Sequence, residues 1–157
     1  MPQPKAGEKA PDFSLPDEKN EKISLSQFKG KSPVVLYFYP KDDTPGCTVE
    51  ACGFRDGFAK LKKAGAVVLG VSPDSSKSHV KFIEKFSLPF SLIADEAKSL
   101  SESYGVWVKK SMYGKEYMGV ARTTFLIGKD GKVKKVYEKV KPEGHADEIL
   151  ADLKSLE

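Results

Sequence analysis

The chain has 157 residues, a formal net charge of +4 and two cysteines. That length suits a single domain, 1–157, able to bury roughly two thirds of its unfolded surface without covalent staples, and two cysteines exclude the disulfide framework of a small secreted protein. The lysines are spread along the whole chain and the aromatics sit within apolar runs, which argues against nucleic acid as a partner, and no apolar run approaches the ~18 residues of a membrane span.

Taken in chain order, Phe13-Ser14-Leu15 and Ile23-Ser24-Leu25 flank the polar turn Asp17-Glu18-Lys19-Asn20 and predict an N-terminal hairpin, followed by a short helical turn near Ser26–Phe28 closed by Gly30. The continuous apolar run Val34–Tyr39, ended by Pro40, predicts a central strand covered on both faces. Thr44 is placed to cap the next helix and Pro45 to occupy its first position. Phe54, Phe58 and Leu61 then fall on one face before Gly65 stops it. Val67–Val71 predicts a second buried strand, so the order strand, helix, strand makes a right-handed parallel crossover the default. A helix around Ser76–Phe86, a short strand Ser91–Ile93, a helix around Lys98–Tyr104 and a polar turn at Tyr113-Gly114-Lys115 come next. Thr123–Ile127 and Val133–Tyr137 read as a hairpin across Lys129-Asp130-Gly131-Lys132. A last amphipathic helix carries Ile149, Leu150, Leu153 and Leu156. The expected architecture is α/β, a mixed central sheet with helices on both faces.

Both cysteines, Cys47 and Cys52, lie five positions apart where the first long strand gives way to a helix. Helix N-termini carry unpaired N–H groups and a partial positive charge, which favour thiolate over thiol. The opening Met1–Lys9 has no apolar stretch of the signal-peptide kind, so a reducing cytosolic setting is expected; there a close cysteine pair is more often metal-binding or redox-active than structural. Zinc wants four ligands, and the only histidines, His79 and His145, lie in unrelated segments without ligand spacing, so no metal is expected. Of 26 basic residues only Arg55 and Arg122 are arginine, which points to a need for the planar guanidinium at those two positions.

A thiolate at Cys47 fits thiol-disulfide exchange, acyl transfer and peroxide reduction alike. A cysteine hydrolase needs a histidine base, which neither histidine's context recommends, and thioredoxin-type exchange usually shows Cys-x-x-Cys. On an ideal helix, positions five apart have Cα atoms about 8.5 Å apart, whereas a disulfide needs them within about 7 Å. If both cysteines are helical they join only after at least a turn unwinds, and Gly46 and Gly53 each lower the local helix propensity by about 1 kcal/mol.

Pro40-x-x-x-Thr44-x-x-Cys47 resembles the active-site motif of peroxiredoxins, and the string from Phe38 through Glu50-Ala51-Cys52-x-Phe54-Arg55-Asp56 is similar to the subfamily called bacterioferritin comigratory protein or peroxiredoxin Q. The likeness continues in Gly105-Val106-Trp107, Gly114-Lys115 and Arg122–Ile127, covering nearly the whole chain. The resemblance implies a thioredoxin-like fold with an N-terminal β-hairpin extension. It implies a hydroperoxide as substrate, Cys47 as the attacking thiolate that becomes a sulfenic acid, and Cys52 as the thiol that condenses with it to a disulfide. It further implies a thioredoxin or similar dithiol as reductant, no bound cofactor, and a monomer or weak dimer. Arg122 would hold the thiolate charged and bind a peroxide oxygen, with the Thr44 hydroxyl and the N–H groups of Gly46 and Cys47 orienting and polarising the peroxide. Pro40 lacks an N–H and would wall off one side, while Glu50 and Arg55 would support the folded site. A disulfide exchanger without need of peroxide, or a non-catalytic binding module, are the rival readings of the same fold.

The remaining features read as structural. Asp42-Asp43 precedes a helix N-terminus, where carboxylates are electrostatically favoured, and no acid-base role is assigned to them. Trp107 is expected in packing, and His79 and His145 on solvated faces. Lys129, Lys132, Lys134, Lys135, Lys139 and Lys141 read as a charged sheet edge that discourages strand pairing with other chains, with a docking patch for an acidic reductase as the alternative reading.

Overall fold

The computed structural model describes residues 3–155. The predicted hairpin forms from β1 (Ser14–Pro16) and β2 (Lys22–Ser24), paired antiparallel, and runs into a 3-10 turn, Leu25–Phe28. The main body alternates β3 (Val34–Phe38), α1 (Pro45–Lys63), β4 (Val67–Ser72), α2 (Ser76–Phe86), β5 (Ser91–Ala94) and α3 (Ser99–Ser103). Then come β6 (Trp107–Met112), β7 (Lys115–Val120), β8 (Thr123–Ile127), β9 (Val133–Tyr137) and α4 (His145–Ser155). Leu156, assigned above to the apolar face of the last helix, lies outside the described residues.

The central sheet has the order β5-β4-β3-β8-β9. β3 pairs parallel with β4 and antiparallel with β8, so the sheet is mixed, as the chain pattern predicts. β3 is buried along its whole length. Val35, Tyr37 and Tyr39 face a core shared with Phe54 and Leu61 of α1, Phe82 of α2 and Ile149 of α4. Val34, Leu36 and Phe38 face the opposite core, shared with Leu100 of α3, Tyr104 and Leu25. This two-sided burial, worth roughly 1.5–3 kcal/mol for each large apolar side chain, makes the strand a rigid platform for the loop and helix that follow it.

α1 begins with Pro45 and is capped at its C-terminus by Ala64, after which Gly65 adopts φ +87°, a left-handed conformation suited to glycine. α2 is capped by the Ser75 hydroxyl, which accepts from the N–H of Ser78 at 3.1 Å. The lysine-rich β9 is the edge of the sheet, and its exposed Lys134 and Lys135 pair with Asp130 and Asp152. Trp107 is half-buried against the α3-side core.

Only the turn at Tyr113–Lys115 is predicted in the region before β8. The structure places it at the tip of a two-stranded ribbon, β6 paired with β7, outside the main sheet. Residues 111–118 are exposed on both faces, so burial leaves no alternation for the sequence to carry.

Candidate active site

Cys47 sits in the first turn of α1 and is 2% exposed. Thr44 occupies the N-cap position, yet its hydroxyl does not cap the helix as expected: Oγ1 donates to the Lys41 carbonyl at 2.9 Å, within its own loop. The first main-chain bond of the helix runs from the Thr48 N–H to the Thr44 carbonyl at 2.8 Å. The N–H groups of Gly46 and Cys47 therefore precede the helical ladder and belong to the positive end of the helix.

Arg122 enters from the short link between β7 and β8. Its main chain is held by the Val140 N–H, which donates to the Arg122 carbonyl at 3.2 Å, and by the neighbouring bond from Ala121 N–H to the Val106 carbonyl at 2.8 Å. Its fork splits between two partners one helical turn apart. Nη2 donates to Cys47 Sγ at 3.2 Å, and Nη1 donates to Glu50 Oε1 at 2.7 Å. Gly46 makes room for this approach, since a Cβ there would stand 3.1 Å from Nη2. The arrangement brings Cys47, Glu50, Arg122 and Gly46 into one cluster.

Burial raises the Glu50 carboxyl from 4.5 to about 7, against the pull of Arg122 in the other direction. Glu50 Oε2 and the Tyr37 hydroxyl are the buried side-chain polar atoms without a hydrogen-bond partner among the described residues, which accounts for the cost of keeping Glu50 charged. Burial disfavours the Arg122 charge too, but Glu50 and Cys47 outweigh it and hold the guanidinium above its ordinary value.

Cys52 lies farther along the same helix, half-buried, and both cysteines are free thiols. Gly53 beside it has open space where a Cβ would be. Pro40 is half-buried at a bend directly after Tyr39. Arg55 is not brought to the Cys47 cluster. Its Nε donates to Asp56 at 3.0 Å and its Nη1 to the Phe86 carbonyl at 2.9 Å, which ties α1 to the end of α2.

Both histidines are buried, contrary to the expectation of solvated side chains. His79 lies one turn before Phe82 on the inner face of α2 and is fully buried. Its Nδ1 meets Asp42 Oδ2 at 2.7 Å and its Nε2 meets the Ile93 carbonyl at 2.9 Å. Asp42 also accepts from the Tyr39 hydroxyl at 2.5 Å and the Ser78 hydroxyl at 2.8 Å. Its own N–H donates to Asp74 Oδ2 at 2.8 Å. This network anchors the loop that carries Thr44 onto α2 and β5. The local signal for it is the spacing of His79 and Phe82; the partner, Asp42, is 37 residues away. His145 is buried at the start of α4 with Nε2 on Thr124 Oγ1 at 2.8 Å, its ring packed between Phe54 and Tyr137. Burial pushes its imidazole below the ordinary range.

No helix among the described residues is long and apolar enough to cross a membrane. The model of the AhpC/TSA family matches residues 6–136. The chain is 51% identical over 150 residues to the peroxiredoxin Bcp of Bacillus subtilis, covering 96% of this chain and 95% of that one. Among solved structures it is similar to the bacterioferritin comigratory protein of Xanthomonas campestris, which has alkyl peroxide reduction activity, with a TM-score of 0.89 and 40% identity over 96% of this chain and 98% of that one. It is also similar to the PrxQ of Xylella fastidiosa, with a TM-score of 0.92 and 34% identity over 99% of each. The fold is the thioredoxin-like one expected.

Proposed function

The chain belongs to the AhpC/TSA family and is a peroxiredoxin, and we propose that it reduces hydrogen peroxide and organic hydroperoxides through Cys47 and Cys52 in turn. The observation that carries this reading is the 3.2 Å bond from Arg122 Nη2 to Cys47 Sγ. A guanidinium beside the sulfur stabilises its negative charge and stands where charge grows on the departing oxygen. The thiolate attacks the terminal oxygen of the hydroperoxide, the O–O bond breaks, and the leaving alkoxide or hydroxide takes up a proton to give alcohol or water. Cys47 becomes a sulfenic acid. The N–H groups of Gly46 and Cys47 are the further donors for the peroxide. Thr44 Oγ1, whose hydrogen is given to Lys41, accepts from the peroxide O–H. Pro40 bounds the pocket, and Glu50 fixes the Arg122 fork.

The Cys52 thiol then condenses with the sulfenic acid, forming the disulfide and releasing water. Since both residues are helical here, this step requires the first turns of α1 to open. Arg55, held by the Phe86 carbonyl, stabilises the closed helix. A thioredoxin-like dithiol returns the pair to thiols by exchange. The protein works in the cytoplasm as a monomer or weak dimer, with neither a metal nor a nucleic acid.

Peroxide consumption by the pure protein with thioredoxin as electron donor tests this reading. Turnover in the wild type and its loss in Cys47→Ser are expected; turnover that persists in Cys47→Ser would overturn it.

A further inference from the structure

The ribbon of β6 and β7 has two unlike faces. In its register Val108 lies opposite Gly119 and Lys110 opposite Tyr117, while Trp107 lies opposite Val120 and Lys109 opposite Met118. Opposed residues share a face. The Trp107 face packs on the core through Trp107 and Val120, and farther out Lys109 pairs with Glu116 at 2.8 Å. The Lys110 face has a different character. Lys110 is half-buried in a ribbon whose outer residues are exposed, and among the described residues it has no carboxylate within ion-pair distance.

The direction of the Lys110 side chain follows from Gly119. A Cβ on Gly119 would stand 3.2 Å from Lys110 Cδ and 3.5 Å from Cε, with the Tyr117 ring at 3.4 Å. The stem of Lys110 therefore leans back across Gly119, toward the base of the ribbon, rather than out to the tip. Three residues beyond Gly119 the chain reaches Arg122, which bonds Cys47. A glycine at this point leaves the groove that the stem occupies.

We propose that Lys110 is a specificity-determining residue, a second cation beside the Cys47 pocket that recognises an anionic group on an organic hydroperoxide. This rests on the peroxidase reading above. Burial, followed by the Arg122 charge, holds the Lys110 ammonium below its ordinary range, with the charge on Cys47 pulling the other way. Arg122 is already engaged by Cys47 and Glu50. Lys110 is not engaged by any carboxylate among the described residues, and an unpaired, partly desolvated cation gains by meeting an anion brought by the substrate. Val108 and Tyr117 on the same face supply apolar contact for the body of such a molecule.

The test is the ratio of second-order rates for two matched probes, cumene hydroperoxide and its para-carboxylate derivative, followed by consumption in excess dithiol at low salt. In the wild type the carboxylate form is expected to react about tenfold faster, with the preference shrinking as salt rises. Lys110→Met is expected to bring the ratio to about one, and Lys110→Arg to keep most of it, since the charge is retained. Gly119→Ala, which crowds the stem while leaving the ammonium in place, is expected to give a ratio between these two. A ratio in Lys110→Met equal to that of the wild type would overturn the role of Lys110. Failure of the wild type to consume either probe would overturn the peroxidase reading itself.

Discussion

Gly46 and Arg122 are so closely apposed that a methyl group on Gly46 would stand 3.1 Å from Nη2, the atom that donates to Cys47 Sγ. The glycine thus has a packing reason to be there, and its cost is local helix propensity. Gly46→Ala should raise the stability of the first turn of α1 by about 1 kcal/mol while displacing the guanidinium from the sulfur. The expected result is a sulfenic acid formation rate about tenfold slower, measured by stopped-flow or rapid quench, without loss of the urea midpoint.

Glu50 supplies a pH dependence with a definite sign. Its carboxyl is raised in the folded protein, from 4.5 to about 7, so the folded state binds this proton more tightly than the unfolded one. The resulting contribution to stability is fully present below pH ~4.5 and is lost as pH rises through about 7. Glu50→Gln removes the titration. Urea unfolding of both proteins between pH 4 and 8 should show the difference, mutant minus wild type, rising with pH by at most about 3 kcal/mol. A difference independent of pH would contradict the assignment.

The disulfide step can be slowed without touching the cysteines. A Cβ placed on Gly53 would meet no atom within 4 Å beyond its chain neighbours and its own helix backbone, so alanine fits there and adds helix propensity of about 1 kcal/mol. Where opening of α1 precedes condensation, that corresponds to disulfide formation about fivefold slower, with the preceding reaction with peroxide keeping its rate. Mass analysis of alkylated samples over time separates the two steps.

The Asp42–His79 pair, 2.7 Å apart and buried, holds the loop before α1. Truncating Asp42 leaves the buried His79 Nδ1 and the hydroxyls of Tyr39 and Ser78 without their acceptor, a loss of about 1–3 kcal/mol for a buried group left unsatisfied. Asp42→Ala should lower the urea midpoint accordingly and speed hydrogen exchange in the loop of residues 40–44. An unchanged midpoint would show that the pair does not hold the loop.

The parts of this site that are legible in the sequence are those marked locally. A continuous apolar run marks β3, and Pro45 and Gly65 bracket α1. Arg122 stands out because lysine supplies nearly all the positive charge, and the resemblance places it beside Cys47. What escapes is set by distant partners. His79 reads as solvated because nothing near it announces Asp42, and the cap expected of Thr44 is lost to a carbonyl three residues back, at Lys41. The β6–β7 ribbon escapes because its exposed lysines and methionines carry no period of burial, and Lys110 goes unnoticed with it.

In the proposed cycle Cys47 reacts first and Cys52 resolves it, with Arg122 holding the reacting sulfur. The most direct measurement is a stoichiometric pulse of hydrogen peroxide on reduced protein, followed by alkylation of free thiols and intact mass. The expected result is loss of both thiols to a disulfide in the wild type and a trapped oxygen adduct in Cys52→Ser. Cys47→Ser should not react, and Arg122→Ala should react more slowly by about 10²-fold or more. Two alkylated thiols persisting in the wild type after the pulse would contradict this cycle.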